Sequence, residues 1–431
     1  MQIAPQGWKV PTGSCAQEIA TWVFVFEFFT LEIGRYYAYI EYIGLVVPAF
    51  MAFVLFRQAI PQHAIFRISL STIVLILIVA TYLVLGSWPS SFGSVRAYDI
   101  GAAYFVVPYV TVCIFASLFF KEHIFGRVVW RVATATLWVG VLSYLLTHLL
   151  HHPLLVSESH GMLRMQGTLT EPSAWAPVIP LVLLMAIRRR SWWHVGLAVI
   201  GAVSAASPTC LLVLIVTVLL YYALTGTRRQ RLAVAVGLAA LIPAALLFVS
   251  AARPSHYLNS HSPAEKTVGR FLAGIESVET DGRQGHNTRF TSTKVVLAEV
   301  SANGWMLTGA GPAADTTYFP AKFGSTVQPN ALWVSVLFDF GLIGVVVLSV
   351  LMLAAVWRMR RYSQMCAILL PFFIASLINS AEGTFEYKFV ALGIVLFAFG
   401  WVRSDGTGAS PLVPLELTGR LGVQSEKGAR T

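Results

Sequence analysis

The sequence predicts an all-α polytopic membrane protein with about twelve transmembrane helices and one long outward loop between the ninth and tenth spans. Three observations lead there. Of the 431 residues, 56% are hydrophobic and 12% charged, the mean hydropathy is +0.70, and the basic residues come in short clusters between apolar runs. A soluble domain carries roughly 25% charged residues, so an ordinary soluble enzyme and a disordered chain are both excluded. At roughly 20 apolar residues per crossing, twelve helices consume about 240 residues, leaving no room for a second soluble domain of any size.

Apolar runs place spans near residues 16–34, 36–56, 65–86, 101–120, 129–150, 173–187, 192–206, 209–226, 232–250, 331–357, 363–380 and 388–402. The sixth and seventh are short for full crossings, and the first carries Glu27 and Glu32. Numbering the loops alternately tests these spans by charge. One set holds Arg57, Arg67, Lys121, Arg127, Arg131, Arg188 to Arg190, Arg228, Arg229, Arg231, Arg358, Arg360 and Arg361, fourteen basic residues in all. The short loops of the other set hold Arg35, Arg96, Arg164 and Lys388. That bias obeys the positive-inside rule and predicts that both termini are cytoplasmic, in a multi-pass membrane protein. Residues 1–403 then form one transmembrane domain with outer loops at 151–172 and 251–330. Residues 404–431, rich in Gly, Ser and Thr, read as a disordered cytoplasmic tail.

The net charge of +10 does not indicate nucleic acid, because membrane topology accounts for where the charges lie. The four cysteines, Cys15, Cys113, Cys210 and Cys366, are too few for a disulfide framework and read as small apolar fillers. The first eleven residues hold one lysine and two prolines, so no cleavable leader is expected. No phosphate-cradling Gly-Lys-Ser loop, HExxH or paired CxxC is present. His148, His151 and His152 cluster at the outer end of the fifth span without a companion carboxylate or cysteine cluster, which suits an interfacial helix end better than a metal site. No metal or cofactor is expected.

Three segments hold the chemistry. In Leu163 to Pro177, Arg164 is an outward cation, Gly167 permits a tight bend, and Glu171 and Pro172 precede an apolar run. Proline suits the first turn of a helix, so Glu171 is expected at a helix N-terminus. There it serves as a cap, as a base toward a sugar hydroxyl, or as both. In the long outer loop, which holds seven Lys or Arg and six Asp or Glu, Arg270, Arg283 and Arg289 recur within twenty residues with His286 and Asn287 between them. Guanidinium forks bind phosphate bidentately and would stabilise charge on a pyrophosphate leaving group; pairing with Glu276, Glu279 and Asp281 is the plainer alternative. Helical periodicity is expected over Thr288 to Ser301 and a bend over Gly304 to Gly311. In Pro329 to Gly344, Asn330 is placed to cap the tenth span.

On these residues the chain resembles the bacterial O-antigen ligase and polymerase superfamily, which includes exopolysaccharide repeat-unit polymerases of the Wzy type. The resemblance rests on Arg164, Gly167 and Glu171-Pro172-Ser173, on Asn287-Thr288-Arg289, on Leu307 to Gly311, and on Asp339 to Gly344. It covers roughly residues 160–345. It implies an inverting, metal-independent glycosyltransferase with a polyprenyl-pyrophosphate-linked oligosaccharide as donor, with Glu171 and Arg289 catalytic and Arg164, Arg270, Arg283, His286 and Asn330 binding substrate. A flippase and a chain-length regulator are the implied partners, beside membrane lipid. Two departures weaken the ligase branch: Pro329-Asn330-Ala331 stands where ligases resemble Pro-His-Asn, and Ser207-Pro208-Thr209 stands where Ser-Arg-Gly is common. The Glu-Pro-Ser form is similar to the polymerase branch. The competing class is a transporter, for which Glu27, Glu32 and Glu41 are candidate intramembrane carboxylates, unless Arg35 pairs with them.

Overall fold

The computed structural model describes residues 17–26, 112, 115–116, 119–150, 152, 154–159, 162–167, 169, 172–237, 265, 289–311, 314–323, 329, 331–379 and 385–399. The described chain is mostly helical, and three of its helices are long and apolar enough to cross a membrane. Seven expected spans have counterparts. They are α1 (Glu122–Leu150), α2 (Trp175–Arg188), α3 (Trp192–Ala205), α4 (Pro208–Thr225), α7 (Leu332–Met359), α8 (Ser363–Asn379) and α9 (Phe385–Gly393), the last continuing as a π-helical turn, Ile394–Ala398. Two further helices, α5 (Arg289–Ala302) and α6 (Asp315–Phe323), precede α7. The helix expected over Thr288 to Ser301 is α5, and the expected bend is a run of turns after it. The expected spans at 36–56 and 65–86 lie outside the described residues, and those at 16–34, 101–120 and 232–250 lie largely outside them.

The contacts align the helices by their ends. Arg188, at the end of α2, donates to the Tyr221 hydroxyl near the end of α4 (3.1 Å) and to Ser363 at the start of α8 (2.6 Å). Arg358, near the end of α7, donates to the Phe397 and Ala398 carbonyls at the π-helical terminus, both at 2.9 Å. Cations suit helix C-termini because the last carbonyls there lack intrahelical partners. One end of the bundle is therefore rich in arginine. Arg127 and Arg131 belong to α1 itself instead of the preceding loop, because the helix starts at Glu122, whose charge suits a first turn.

α2 sits at the centre, packed by α1, α3, α4 and α8, and its Trp175, Val178, Ile179, Leu181 and Val182 are wholly buried. Outward faces remain apolar: Leu142, Leu145 and Leu149 on α1, and Val346, Val350 and Leu353 on α7 are exposed. An apolar residue costs nothing when its neighbour is a lipid tail, so helices apolar on all sides are what a bilayer tolerates. Cys210 and Cys366 are buried free thiols, as fillers would be, whereas Cys15 and Cys113 lie outside the described residues.

Lys388 corrects the charge pattern. It is not a loop cation: it lies within α9, 7% exposed, and donates from Nζ to the Phe24 carbonyl at 3.0 Å, with the Phe24 ring 5.1 Å away. Phe24 stacks on Phe115, and Phe389 stacks on Phe372. The lysine thus ties the helical segment 17–26 to α9 from inside an aromatic cluster.

A second, smaller hydrophobic cluster stands apart from this bundle. Val296 and Val300 of α5, Trp305, Ala310, Ala314, Phe319 of α6, and Val334 and Phe338 of α7 form it. Its junction with the bundle is a break in α7. Gly341 takes φ 65 and ψ −164, which only glycine adopts readily. The backbone groups released there are met by the turn after α5. Ala310 donates to the Phe338 carbonyl (2.8 Å) and Gly311 to that of Asp339 (2.9 Å), while Leu342 and Ile343 donate to Met306 and Leu307. Leu342 to Met359 then runs 18 residues, about 27 Å, close to the thickness of a hydrocarbon core. Met306, Leu307, Leu342 and Ile343 are all exposed at this junction, so its surface is apolar where the span begins.

Candidate functional site

The site begins with a hairpin. After α1, β1 (Val156–Ser159) pairs antiparallel with β2 (Met162–Met165), setting Ser157 opposite Arg164. Beyond it Gly167, at φ 61, lies so close to Gly140 in α1 that a Cβ would overlap the Gly140 backbone. The Trp175 indole, wholly buried, packs on both glycines and donates to the Gln166 carbonyl at 3.2 Å. Gly140 precedes the end of α1 by ten residues, so the chain leaving the hairpin dips about 15 Å below that end.

At that depth the ends of three helices meet. The 3₁₀ turn Pro172–Ala174 opens into α2, α3 ends at Ala205, and α4 starts at Pro208. α2 and α3 have 14 residues each, about 21 Å, which is why both look short in the sequence. Pro172 takes the first position of its helical segment, as expected. Ser207 caps α4 by accepting from the Cys210 N–H at 3.4 Å, with Pro208 at the first helical position. This explains Ser207-Pro208-Thr209: the turn is a helix cap. Arg164 reaches over from β2 to this turn and donates from Nε to the Ala205 carbonyl at 3.3 Å, with Cys210 in electrostatic reach. The buried Ser173 hydroxyl finds no hydrogen-bond partner among the described residues. Two helix N-termini and a guanidinium, about 15 Å below the end of α1, make a place for an anion.

Arg164 is the predicted site residue whose side chain is described. Arg289 begins α5, where only its backbone is described, and Glu171, Arg270, Arg283, His286 and Asn330 lie outside the described residues. The capping position before α7 falls on Ala331, which is extended and makes no side-chain cap, in place of the cap expected from Asn330. His148 rests edge-on against Tyr144, while His151 lies outside the described residues. Glu32, Arg35 and Glu41 lie outside them as well, and so does Glu27.

The second cluster holds polar groups that the sequence did not single out as a pair. The Asp339 Oδ1, fully buried, accepts from the Asp315 N–H at 3.0 Å, and Ser335 donates to the Asp315 carboxylate. Asp339 thereby caps α6 from within α7, a contact across 24 residues that no local spacing reveals. On the surface, Tyr318 and Lys322 of α6 both donate to the Glu299 carboxylate of α5, Lys322 at 2.6 Å.

Burial pushes the Glu299 carboxyl up, but the hydrogen bonds from Lys322 and Tyr318 outweigh it, so the group lies below the usual glutamate range. A depressed folded pKa gives stability that is present above the unfolded value and lost as pH falls through the folded one. The α5–α6 contact should therefore loosen below the ordinary glutamate pKa of about 4.3. Amide exchange in α6 between pH 7 and pH 3 measures this. A Glu299→Gln variant should show a flatter pH response, and an unchanged response would mean that another group carries it.

By fold the described chain is a helical bundle with three helices long and apolar enough to cross a membrane, and it brings one guanidinium to the starts of two helical segments. Comparisons with known protein families and with curated proteins found no match.

Proposed function

We propose that the chain is a membrane glycosyltransferase that polymerises a cell-surface or secreted polysaccharide, moving a polyprenyl-pyrophosphate-linked growing glycan onto a lipid-linked repeat unit. The observation that carries this reading is Arg164, held over the meeting point of the α2 start, the α3 end and the α4 start. A pyrophosphate leaving group needs cationic and N–H donors, and this place offers a guanidinium with two helix N-termini.

In the proposed reaction the Glu171 carboxylate takes the proton of the acceptor hydroxyl. The oxygen attacks the anomeric carbon, the bond from that carbon to the pyrophosphate oxygen breaks with inversion, and the lipid pyrophosphate leaves. Arg164, with Arg270, Arg283 and Arg289 from the long loop, holds the charge that develops on it, while His286 and Asn330 contact sugar. Positioning and charge stabilisation supply most of the rate, and no metal enters the scheme.

The test is the purified protein in lipid with a polyprenyl-pyrophosphate oligosaccharide as sole substrate. A ladder of products spaced by one repeat is expected. Glu171→Gln and Arg289→Ala should each cut the rate about 100-fold or more at unchanged expression. Arg164→Gln should act like them, and helical content by circular dichroism separates lost binding from lost folding. Full-length polymer from all three variants would overturn the assignment. Transfer seen only after adding a lipid A core acceptor would make the protein a ligase.

Transport without bond chemistry is the second reading, favoured by Lys388 within the helical core and by the broken helix at Gly341, since intramembrane cations and interrupted spans mark substrate paths. It predicts no ladder in either assay and loss of function on Lys388→Met.

A further inference from the structure

We propose that the arginine-rich end of the bundle holds a binding site for the headgroup of an anionic phospholipid, built by Arg131 and Arg189 beside Trp130, Trp192 and Trp193. The site is independent of the glycan chemistry at the opposite end.

The arginines at this end are not equivalent. Arg358 is occupied by the carbonyls of the π-helical terminus, and Arg188 by Tyr221 and Ser363, with Glu122 in electrostatic reach. Arg189 differs. Its guanidinium, at the end of α2, rests at 4.9 Å over the ring of Trp130, which precedes Arg131 in α1, and both Arg131 and Arg188 are in electrostatic reach. Among the described residues no salt bridge engages Arg131 or Arg189. Burial first, and then the two neighbouring arginines, depress the Arg189 guanidinium below its ordinary value.

The frame around the pair is rigid. The His194 ring also packs on Trp130, centroids 4.8 Å apart, and is hydrogen-bonded to Ser191 at 2.6 Å in the turn between α2 and α3. Immediately after that turn Trp192 and Trp193 are 74% and 88% exposed. Indoles exposed side by side next to three consecutive arginines match the headgroup layer, where an aromatic ring meets acyl chain below and water above. A phosphate there would accept from both guanidinium forks and relieve their repulsion. Anionic headgroups are the anions that this layer presents at high local concentration.

Topology alone would make these arginines interchangeable with any others at this end, whereas a site is specific to position, and that separates the two accounts. The experiment is native mass spectrometry of the full chain, released from nanodiscs of equal phosphatidylglycerol and phosphatidylcholine. The wild type should retain phosphatidylglycerol preferentially. At about fivefold per near-surface arginine, the Arg131→Gln/Arg189→Gln variant should lose the preference by about 25-fold. Arg228→Gln/Arg229→Gln, which removes the same charge from the same end, should keep it. Arg189→Lys should fall between, because an ammonium lacks the fork. Equal retention of the two lipids by the wild type, or equal loss in both double variants, would overturn the proposal. Thermal melting in pure phosphatidylcholine discs checks that the Arg131→Gln/Arg189→Gln protein is folded, and Trp192→Phe/Trp193→Phe offers a second route to the same loss if it is not.

Discussion

A Gly341→Val substitution is expected to release the second cluster from the bundle. At φ 65 a β-branched side chain is strained whatever surrounds it, and here its Cβ would also sit on the backbone of Leu307 and Thr308. Neither neighbour can yield, because Leu342 and Ile343 are hydrogen-bonded to Met306 and Leu307, and Gly309 is packed the same way against the Asp339 carbonyl. The cost should be about 3 kcal/mol or more, large against total stability. Gly304 supplies the control: its φ is 72, but nothing lies within 4 Å of a Cβ there. Gly304→Ala should cost about 1–2 kcal/mol, the strain alone. Limited proteolysis of the α5–α6 region with thermal melting in detergent measures both. Equal effects would show that strain, and not the interlocked backbones, sets the cost.

The second large effect is expected at Trp175. Trp175→Ala removes a wholly buried indole from the contact of Gly140, Gly167 and the Gln166 carbonyl, at about 3–5 kcal/mol. Trp175→Phe keeps most of the volume and loses one hydrogen bond, at about 1 kcal/mol. Since this indole seats the chain leaving the hairpin, the alanine variant should also displace Arg164 from the Ala205 carbonyl. Its loss of polymer should then approach that of Arg164→Gln, while the phenylalanine variant stays near wild type. If phenylalanine were as damaging as alanine, the indole N–H and not the packing would be what holds the hairpin.

The helical class and the places of seven helices were legible because hydropathy is a local property that some twenty consecutive residues state on their own. α5 was legible for the same reason, from Val296, Val300 and their spacing. Lys388 was misplaced because a lysine at the edge of an apolar run looks like a loop residue until the carbonyl and ring of Phe24, from far away in the chain, are seen beside it. The contact of Arg164 with the Ala205 carbonyl was not legible, because the two residues lie 41 positions apart and no local spacing links them.

What the sequence alone determined is that this chain is built of apolar helices with cations at one set of their ends, since transfer of each residue between water and lipid depends on that residue and its near neighbours. Tertiary structure alone decided which ends meet. It joined Leu307 to Gly311 with Asp339 to Gly344 into a broken helix closed by a turn, and it brought Arg164 to the starts of α2 and α4. Those pairings depend on hydrogen bonds and close contacts between residues far apart in the chain, where one glycine or one indole decides the approach, and local composition holds no record of them.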